Sequence, residues 1–337
     1  MVRVDVLTGY RELASTAPEW LSLCRSAAAA SPYNHPGWVL SWWRQRHRTG
    51  LRWRAVTARD ARHRLTGILP LVRFPDGTVR FAGYDLHDEA AGLAVDGGLP
   101  ALWGAATDLL GSRGDCTGLD LPTLASADLA ALRGVVAPRR LRVTGLDPGA
   151  RLDLTGGWDR IFATLPSSRR KRIRAERRAL ERDHGSVGFD LVTHPGDVVT
   201  AAEELWRLRE ASWRARGRYG ELAEHVRGDQ LLTFLRELAR EPLLAGVLRV
   251  ARLRAGAVVA AAALQLLVGR RLWYPLCAFA PPLARYGPGR LLLAECAREA
   301  AERGCSAFEL GRGVERYKFT VGAVRYELPD VTVGRAD

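Results

Sequence analysis

Lysine is nearly missing. The 337-residue chain holds only Lys171 and Lys318, so almost all of its 50 basic residues are arginine. Cysteine is sparse and unpaired in spacing: Cys24, Cys116, Cys277, Cys296 and Cys305 form no C-x-x-C pair and are odd in number. That excludes a disulfide framework and reads as reduced, mostly buried thiols in a cytoplasmic protein. The 7 histidines form no cluster beside the cysteines, so no metal ligand set is expected. No apolar run approaches the roughly 18–20 residues of a membrane span. The uncharged stretch of residues 255–269 is closed by Arg254 and Arg270 and reads as sheet core. At the N-terminus Val2, Val4 and Val6 alternate with Arg3 and Asp5, the pattern of a strand and not of a targeting segment.

What is present is a globular composition, with 47% apolar and 26% charged residues. Collagen-like, disordered and disulfide-dense classes are excluded. The length suits two domains of roughly 150 residues each. The net charge of +13 rests on guanidinium groups, which stay protonated and match carboxylates and phosphates. Such a chain favours polyanionic ligands: a nucleotide cofactor, an acidic carrier protein or RNA. Arginine-, alanine- and glycine-heavy usage also follows from GC-rich coding, so part of this charge is compositional.

Two stretches share a strand–turn–strand pattern. Leu51–Phe74 turns near Asp60–Arg64, and Val247–Val268 turns at Arg254–Gly256. Amphipathic helical sequence precedes each, within residues 19–47 and 200–240. A pair of similar α/β units fits the length. Pro148, Gly149, Gly156 and Gly157 punctuate the chain at residues 147–157 and mark a boundary there, giving domains 1–150 and 151–337. Directly after it, Ser167–Arg182 carries a local charge of +6, with Ser167 and Ser168 as candidate N-caps of a helix. This segment reads either as a solvated helix face or as a surface that grips phosphates or an acidic partner. It lacks the aromatic interleaving of single-strand binders.

The chemistry concentrates in residues 271–323. Residues 272–279 read as a strand, and Pro275 within it predicts a bulge or a splayed edge. A loop with Pro281, Pro282, Gly287 and Pro288 follows. A helix from Gly289 to about Arg303, a stop at Gly304 and a second strand, residues 305–310, complete the unit. Small residues let backbone amides approach a pyrophosphate, and the helix N-terminus adds its positive end. Tyr286, Gly287 and Gly289 shape that cradle, while Arg285 and Arg290 flank it and suit the same phosphates. Unpaired amides of a splayed strand, at Tyr274 and Leu276, would point at a thioester carbonyl. A second loop, residues 84–89, places His87 between Asp85 and Asp88. There His87 is a candidate base oriented by Asp88, or simply part of a polar surface loop.

The run from Phe279 to Leu293 (F-A-P-P-L-A-R-Y-G-P-G-R-L-L-L), continued by Gly311-Arg312-Gly313-Val314-Glu315-Arg316-Tyr317-Lys318, resembles the signature of the CelD-like branch of the GNAT acyltransferase superfamily. Gly37–Trp43 and Ser168–Arg172 resemble two further segments of that branch, so the likeness covers residues 32–322. The resemblance implies an α/β fold of two tandem GNAT-like units, each a mixed, mostly antiparallel sheet flanked by helices, as in Fem-type peptidyltransferases. It places the donor site in the second unit. It also implies transfer of an acyl group from a thioester to an amine by direct attack, without a tightly bound cofactor. The donor would be acyl-CoA or a phosphopantetheine-linked acyl group on acyl carrier protein; aminoacyl-tRNA is the alternative, with Ser167–Arg182 as the docking segment. The superfamily pyrophosphate motif is one residue short here, between Arg285 and Gly289. In GNAT enzymes a tyrosine ahead of a glycine protonates the thiolate, and Tyr317 before Gly322 matches. Glu309 and Glu315 are the candidate proton acceptors within the motif, and Lys318 offers an ammonium near an anion. Trp206, Trp213 and the arginines after them resemble an acceptor-side helix, though tryptophans seven apart also suit a plain core. A noncatalytic basic RNA- or partner-binding protein on this scaffold is the reading from a different class.

Overall fold

The computed structural model describes residues 2–27, 29–46, 49–86, 88–95, 97–111, 116–217 and 228–335. They divide into two compact units: residues 1–148 with 327–337, and residues 149–326. The sequence assigns the chain's last residues to the second domain. In the structure Val331–Gly334 pair antiparallel with Gly118–Leu121, and that ladder counts them with the first unit.

The first unit holds an antiparallel sheet of Arg3–Leu7, Ala55–Arg59, Leu65–Leu69 and Leu93–Ala94. Its central hairpin turns at residues 60–64, as the sequence suggests. Further pairing joins Gly118–Leu121 to Thr78–Phe81 in parallel, then Leu71–Arg73 and Arg52–Trp53. The helix Pro36–Arg46 buries Trp38, Trp42 and Trp43. The long helical stretch expected around it is broken into Ala17–Ser26 and Pro36–Arg46, because the 3-10 turn at Pro32–Asn34 intervenes.

In the second unit, α1 (Trp158–Thr164) and α2 (Ser167–His184) lead into β1 (Val187–Val192) and α3 (Pro195–Ala215). Then come α4 (Gly228–Arg240), β2 (Leu248–Ala255), β3 (Val258–Val268), β4 (Arg271–Phe279), α5 (Pro288–Glu302) and β5 (Ala307–Arg312). The strands run β1-β2-β3-β4-β5, and residues 149–153 pair on the far side of β5. Every pair is antiparallel except β4–β5, where α5 makes the crossover that a parallel pair needs. The uncharged stretch forms β3, whose run Ala260–Ala263 is fully buried. These small side chains let α5 lie close to the sheet. It inserts Leu292, Cys296, Ala297 and Ala300, all with no exposed surface, and burying a leucine contributes about 1.5–3 kcal/mol. α2 is helical as predicted and runs for 18 residues, but its N-cap is Pro166, with no side-chain cap. Ser167 and Ser168 lie inside the helix, because Pro166 O already accepts from the amides of Arg169 and Arg170.

The two faces of this sheet carry different helices. Arg249 of β2 is paired to Glu299 of α5 at 2.7 Å, whereas Arg252, three residues on, meets Asp190 at 2.6 Å and Glu204 of α3 at 3.4 Å. Strand side chains alternate, so α5 and α3 lie on opposite sides.

Candidate functional site

Pro275 does what its chemistry dictates. Between the pairs Leu266↔Trp273 and Leu264↔Leu276, the two residues Tyr274 and Pro275 oppose the single Gln265, which is a bulge. On the other edge β4 pairs with β5 only at Arg271↔Ala307, Leu272↔Phe308 and Trp273↔Glu309. From Tyr274 onward the strands part, and a gap opens between them. Ala280 N–H donates to Ala260 O at 2.9 Å, so Ala280 faces β3. Alternation then turns the amides of Leu276 and Ala278 to β3 and those of Cys277 and Phe279 into the gap. This corrects the expectation for Leu276. The Tyr274 side chain is buried in the core, edge-on to Phe308 with centroids 5.5 Å apart, and burial pushes its pKa well above the usual tyrosine value. The gap-facing amides need an acceptor from outside the sheet, since a buried amide left alone costs about 1–3 kcal/mol.

The loop and the start of α5 lie beside this gap. Gly287 adopts φ +60°, a left-handed turn that glycine takes without strain, and caps α5 ahead of Pro288. The Gly289 amide, in the first turn, has no intrahelical acceptor. A cleft of about 440 Å³ is lined by Arg169, Arg172 and Ile173 of α2, Arg290 of α5, and Arg316, Tyr317 and Thr320. Arg290 and Arg172 share the carboxylate of Glu176, the latter at 2.9 Å. Arg169 donates to Phe319 O at 2.8 Å. Four guanidinium groups around one cleft suit phosphate oxygens. Arg285 does not join them: it is exposed, stacks on the Tyr286 ring and reaches Asp183 at 3.5 Å. Tyr286 is buried, and its hydroxyl donates to Asp183 at 2.8 Å, pinning the loop to the end of α2. That hydrogen bond and then Arg182 hold the Asp183 carboxyl below its usual range.

Tyr317 follows β5, and its hydroxyl lies 3.6 Å from Cys277 Sγ, across the gap from β4. Burial raises the Cys277 thiol pKa, so the residue is a weak nucleophile whose amide matters more than its sulfur. Cys277 and Tyr317 are among the ionisable groups whose charge acts on Arg209 of α3.

Other expected residues have different places. Glu309 is fully buried, and its Oε1 accepts from Arg151 at 2.6 Å and from Arg271 at 2.8 Å. It stands opposite Trp273, four residues and therefore ~13 Å along the strand from Cys277. It clamps the vertex where the strands part and is too far from the gap-facing amides to act as their base. Lys318 is buried; its Nζ reaches the carbonyls of Gly311, Arg312 and Gly313 and pairs with Glu315 at 2.9 Å. Lys318 and Glu315 thus close the 311–318 turn on itself. In the first unit Asp88 accepts from Tyr33 at 2.7 Å, and Asp85 accepts from Trp42 Nε1 at 2.7 Å. His87 lies outside the described residues. Among the described residues, no group of three His, Cys, Asp or Glu side chains is placed to hold a metal ion, and no helix is long and apolar enough to cross a membrane.

The +6 segment is part structural and part cleft. Arg170 holds the carbonyls of Ala163 and Leu165, and Arg177 ties Glu181, Glu295 and Val187 O together. Only Arg169, Arg172 and Ile173 face the cleft.

Sequence reasoning missed Cys277 and Phe279, which counting by twos back from the loop would have found. It missed Arg169, Arg172 and Arg316 as individuals within a basic background. Arg209 left no signal.

Residues 167–319 match the family model of the acetyltransferase (GNAT) domain. No curated protein matches the chain. FemX aligns at 12% identity over 94% of this chain and 95% of its own, with a TM-score of 0.53. A conserved protein of unknown function from Bacteroides thetaiotaomicron aligns at 11% identity over 100% of both chains, with a TM-score of 0.60. L-PGS from Bacillus licheniformis aligns at 12% identity over 85% of this chain and 84% of its own, with a TM-score of 0.55. At these identities what is shared is the fold.

Proposed function

We propose that the chain is an N-acyltransferase that moves an acyl group from a thioester donor, acyl-CoA or acyl carrier protein, to an amine, a reading supported by the match of residues 167–319 to the acetyltransferase (GNAT) domain model. The observation that carries this reading is the gap between β4 and β5, with the Cys277 and Phe279 amides turned into it and the Tyr317 hydroxyl across it. These residues fit a pantetheine-type arm, with an amide carbonyl of the arm taking the place of the missing ladder partner of Phe279 and the thioester carbonyl that of Cys277. Arg290, Arg172, Arg169 and Arg316 would hold its phosphates, with Gly287 and Gly289 keeping the loop backbone clear. The CelD-like signature and the tandem arrangement belong to the same proposal.

In the reaction the amine nitrogen bonds to the thioester carbonyl carbon and the carbon–sulfur bond breaks. The Cys277 amide receives the charge that develops on the carbonyl oxygen, a role worth about 2.7–4 kcal/mol in comparable sites. Tyr317 gives its proton to the departing sulfur and regains one from the proton lost by the attacking amine. Glu309 holds the vertex open through Arg151 and Arg271 and takes no part in proton transfer.

Incubating the protein with a panel of acyl-CoA and acyl-carrier donors and mixed amines, then measuring intact mass of the products, tests the proposal. Amide products that need a thioester and persist after RNase support it. Activity that requires aminoacyl-tRNA and is destroyed by RNase would replace the donor class with the Fem-type reading.

A further inference from the structure

Arg209 of α3 stands apart from the arginines of other elements that pair with α3 carboxylates. Arg252 meets Asp190 and Glu204, and Arg236 meets Glu203 at 2.8 Å. Arg209 has no carboxylate partner among the described residues; its Nε is buried without an acceptor, and its guanidinium lies over Trp213 at 5.5 Å. Its ionisable neighbours are Cys277, Tyr317 and a second cation, Arg216, which itself lies over Phe279 at 5.4 Å. Burial depresses its pKa, so the described residues withhold water from a cation without supplying an anion. A group in that position is completed by an anionic ligand. The ligand is not the donor's phosphate, because the phosphate-type arginines come from α2 and α5. α3 lies on the opposite face of the sheet from α5.

We propose that Arg209 binds the carboxylate of the acyl acceptor, which makes the acceptor an amino acid or a peptide-type compound with its amine close to a carboxylate. A single guanidinium presents a planar edge of two N–H donors, the match for a planar carboxylate. Trp213 and Arg216 complete the setting: a flat apolar wall and additional positive potential. The amine of such a ligand falls beside Cys277 and Tyr317, where the acyl group would be delivered. This rests on the acyl-transfer reading, and its test includes a readout that does not need turnover.

Calorimetric binding of N-acetylglycine, N-acetylleucine and N-acetylglutamate, each against its carboxamide, reads the site directly in the full chain. The wild-type protein should bind an acid about 10- to 100-fold more tightly than the matching amide. Arg209→Gln should erase that ratio, and Arg209→Lys should keep part of it. In turnover, Arg209→Gln should raise KM for amino-acid acceptors and leave KM for amines without a carboxylate unchanged, a split that a general loss of structure does not give. Equal binding of acid and amide by the wild type, an unchanged ratio in Arg209→Gln, or a preference for phosphoethanolamine over amino acids overturns the inference. Transfer to carboxylate-free amines as efficiently as to amino acids overturns it too, while leaving acyl transfer intact. Carboxylate-selective binding with no transfer to any amine overturns the acyl-transfer reading and leaves the anion site standing.

Discussion

In the proposed reaction Tyr317 protonates sulfur from a hydroxyl that lies 3.6 Å from Cys277, in the turn that Lys318 and Glu315 close. Tyr317→Phe keeps the ring and loses the proton, so kcat should fall about 100-fold with donor KM unchanged, measured at saturating acceptor. Asp128 is a residue-scale case of burial without a cation. In the first unit it accepts from Gly92 N–H at 3.0 Å and Trp103 Nε1 at 2.8 Å, and burial pushes its pKa up to about 7. The folded protein therefore holds this proton more tightly than the unfolded chain, whose value is 3.8. The stabilisation is fully present below pH ~4 and is lost as pH rises through ~7, on the order of 4 kcal/mol across the window. Asp128→Asn should be more stable relative to wild type at pH 8 than at pH 5, read from urea midpoints at both pH values. Neither Asp128 nor Arg209 can be singled out from sequence, because what sets each apart is the missing counter-charge, a property of packing.

At the scale of elements, the local signals were legible and the tertiary ones were not. Proline at 275, Gly287 and the run of apolar residues after Pro288 announce the bulge, the loop and α5, since each acts through its own backbone. Glu309 reads equally well as base or anchor in sequence; only the ladder Trp273↔Glu309 fixes its distance from the gap. Glu309→Gln should cost on the order of 2–3 kcal/mol, because two partly exposed arginines lose a fully buried carboxylate. Thermal unfolding would detect this as a lowered Tm. Within the loop, neighbouring glycines should behave differently. A Cβ at Gly289 meets only Phe279 at 3.6 Å, so Gly289→Ala should leave stability nearly unchanged. Gly287→Ala forces a side chain into a left-handed turn against Arg290 and Glu176, costing about 1–2 kcal/mol and raising donor KM.

At the scale of the whole molecule, the charge of +13 is spread unevenly in purpose. Many arginines of the +6 segment are consumed by carbonyls and carboxylates, a division that counting charges cannot foresee. The arginines around the cleft should steer an acidic carrier protein more than free CoA, because more of its surface feels the field. KM for a carrier-linked donor should rise about tenfold between roughly 50 and 500 mM salt, and KM for CoA by less, measured by initial rates. The pairing of the chain's last strand with Gly118–Leu121 leaves no mark in the sequence, because strand pairing there is long-range. Finally, the rift beyond Trp273 is written into covalent structure. Pro275 has no proton to lend a neighbour, so the pantetheine-type arm of the proposed donor would meet a slot already ajar and spend none of its affinity on prising strands apart. Entry should accordingly be governed by diffusion and charge, with little dependence on the breathing of the sheet.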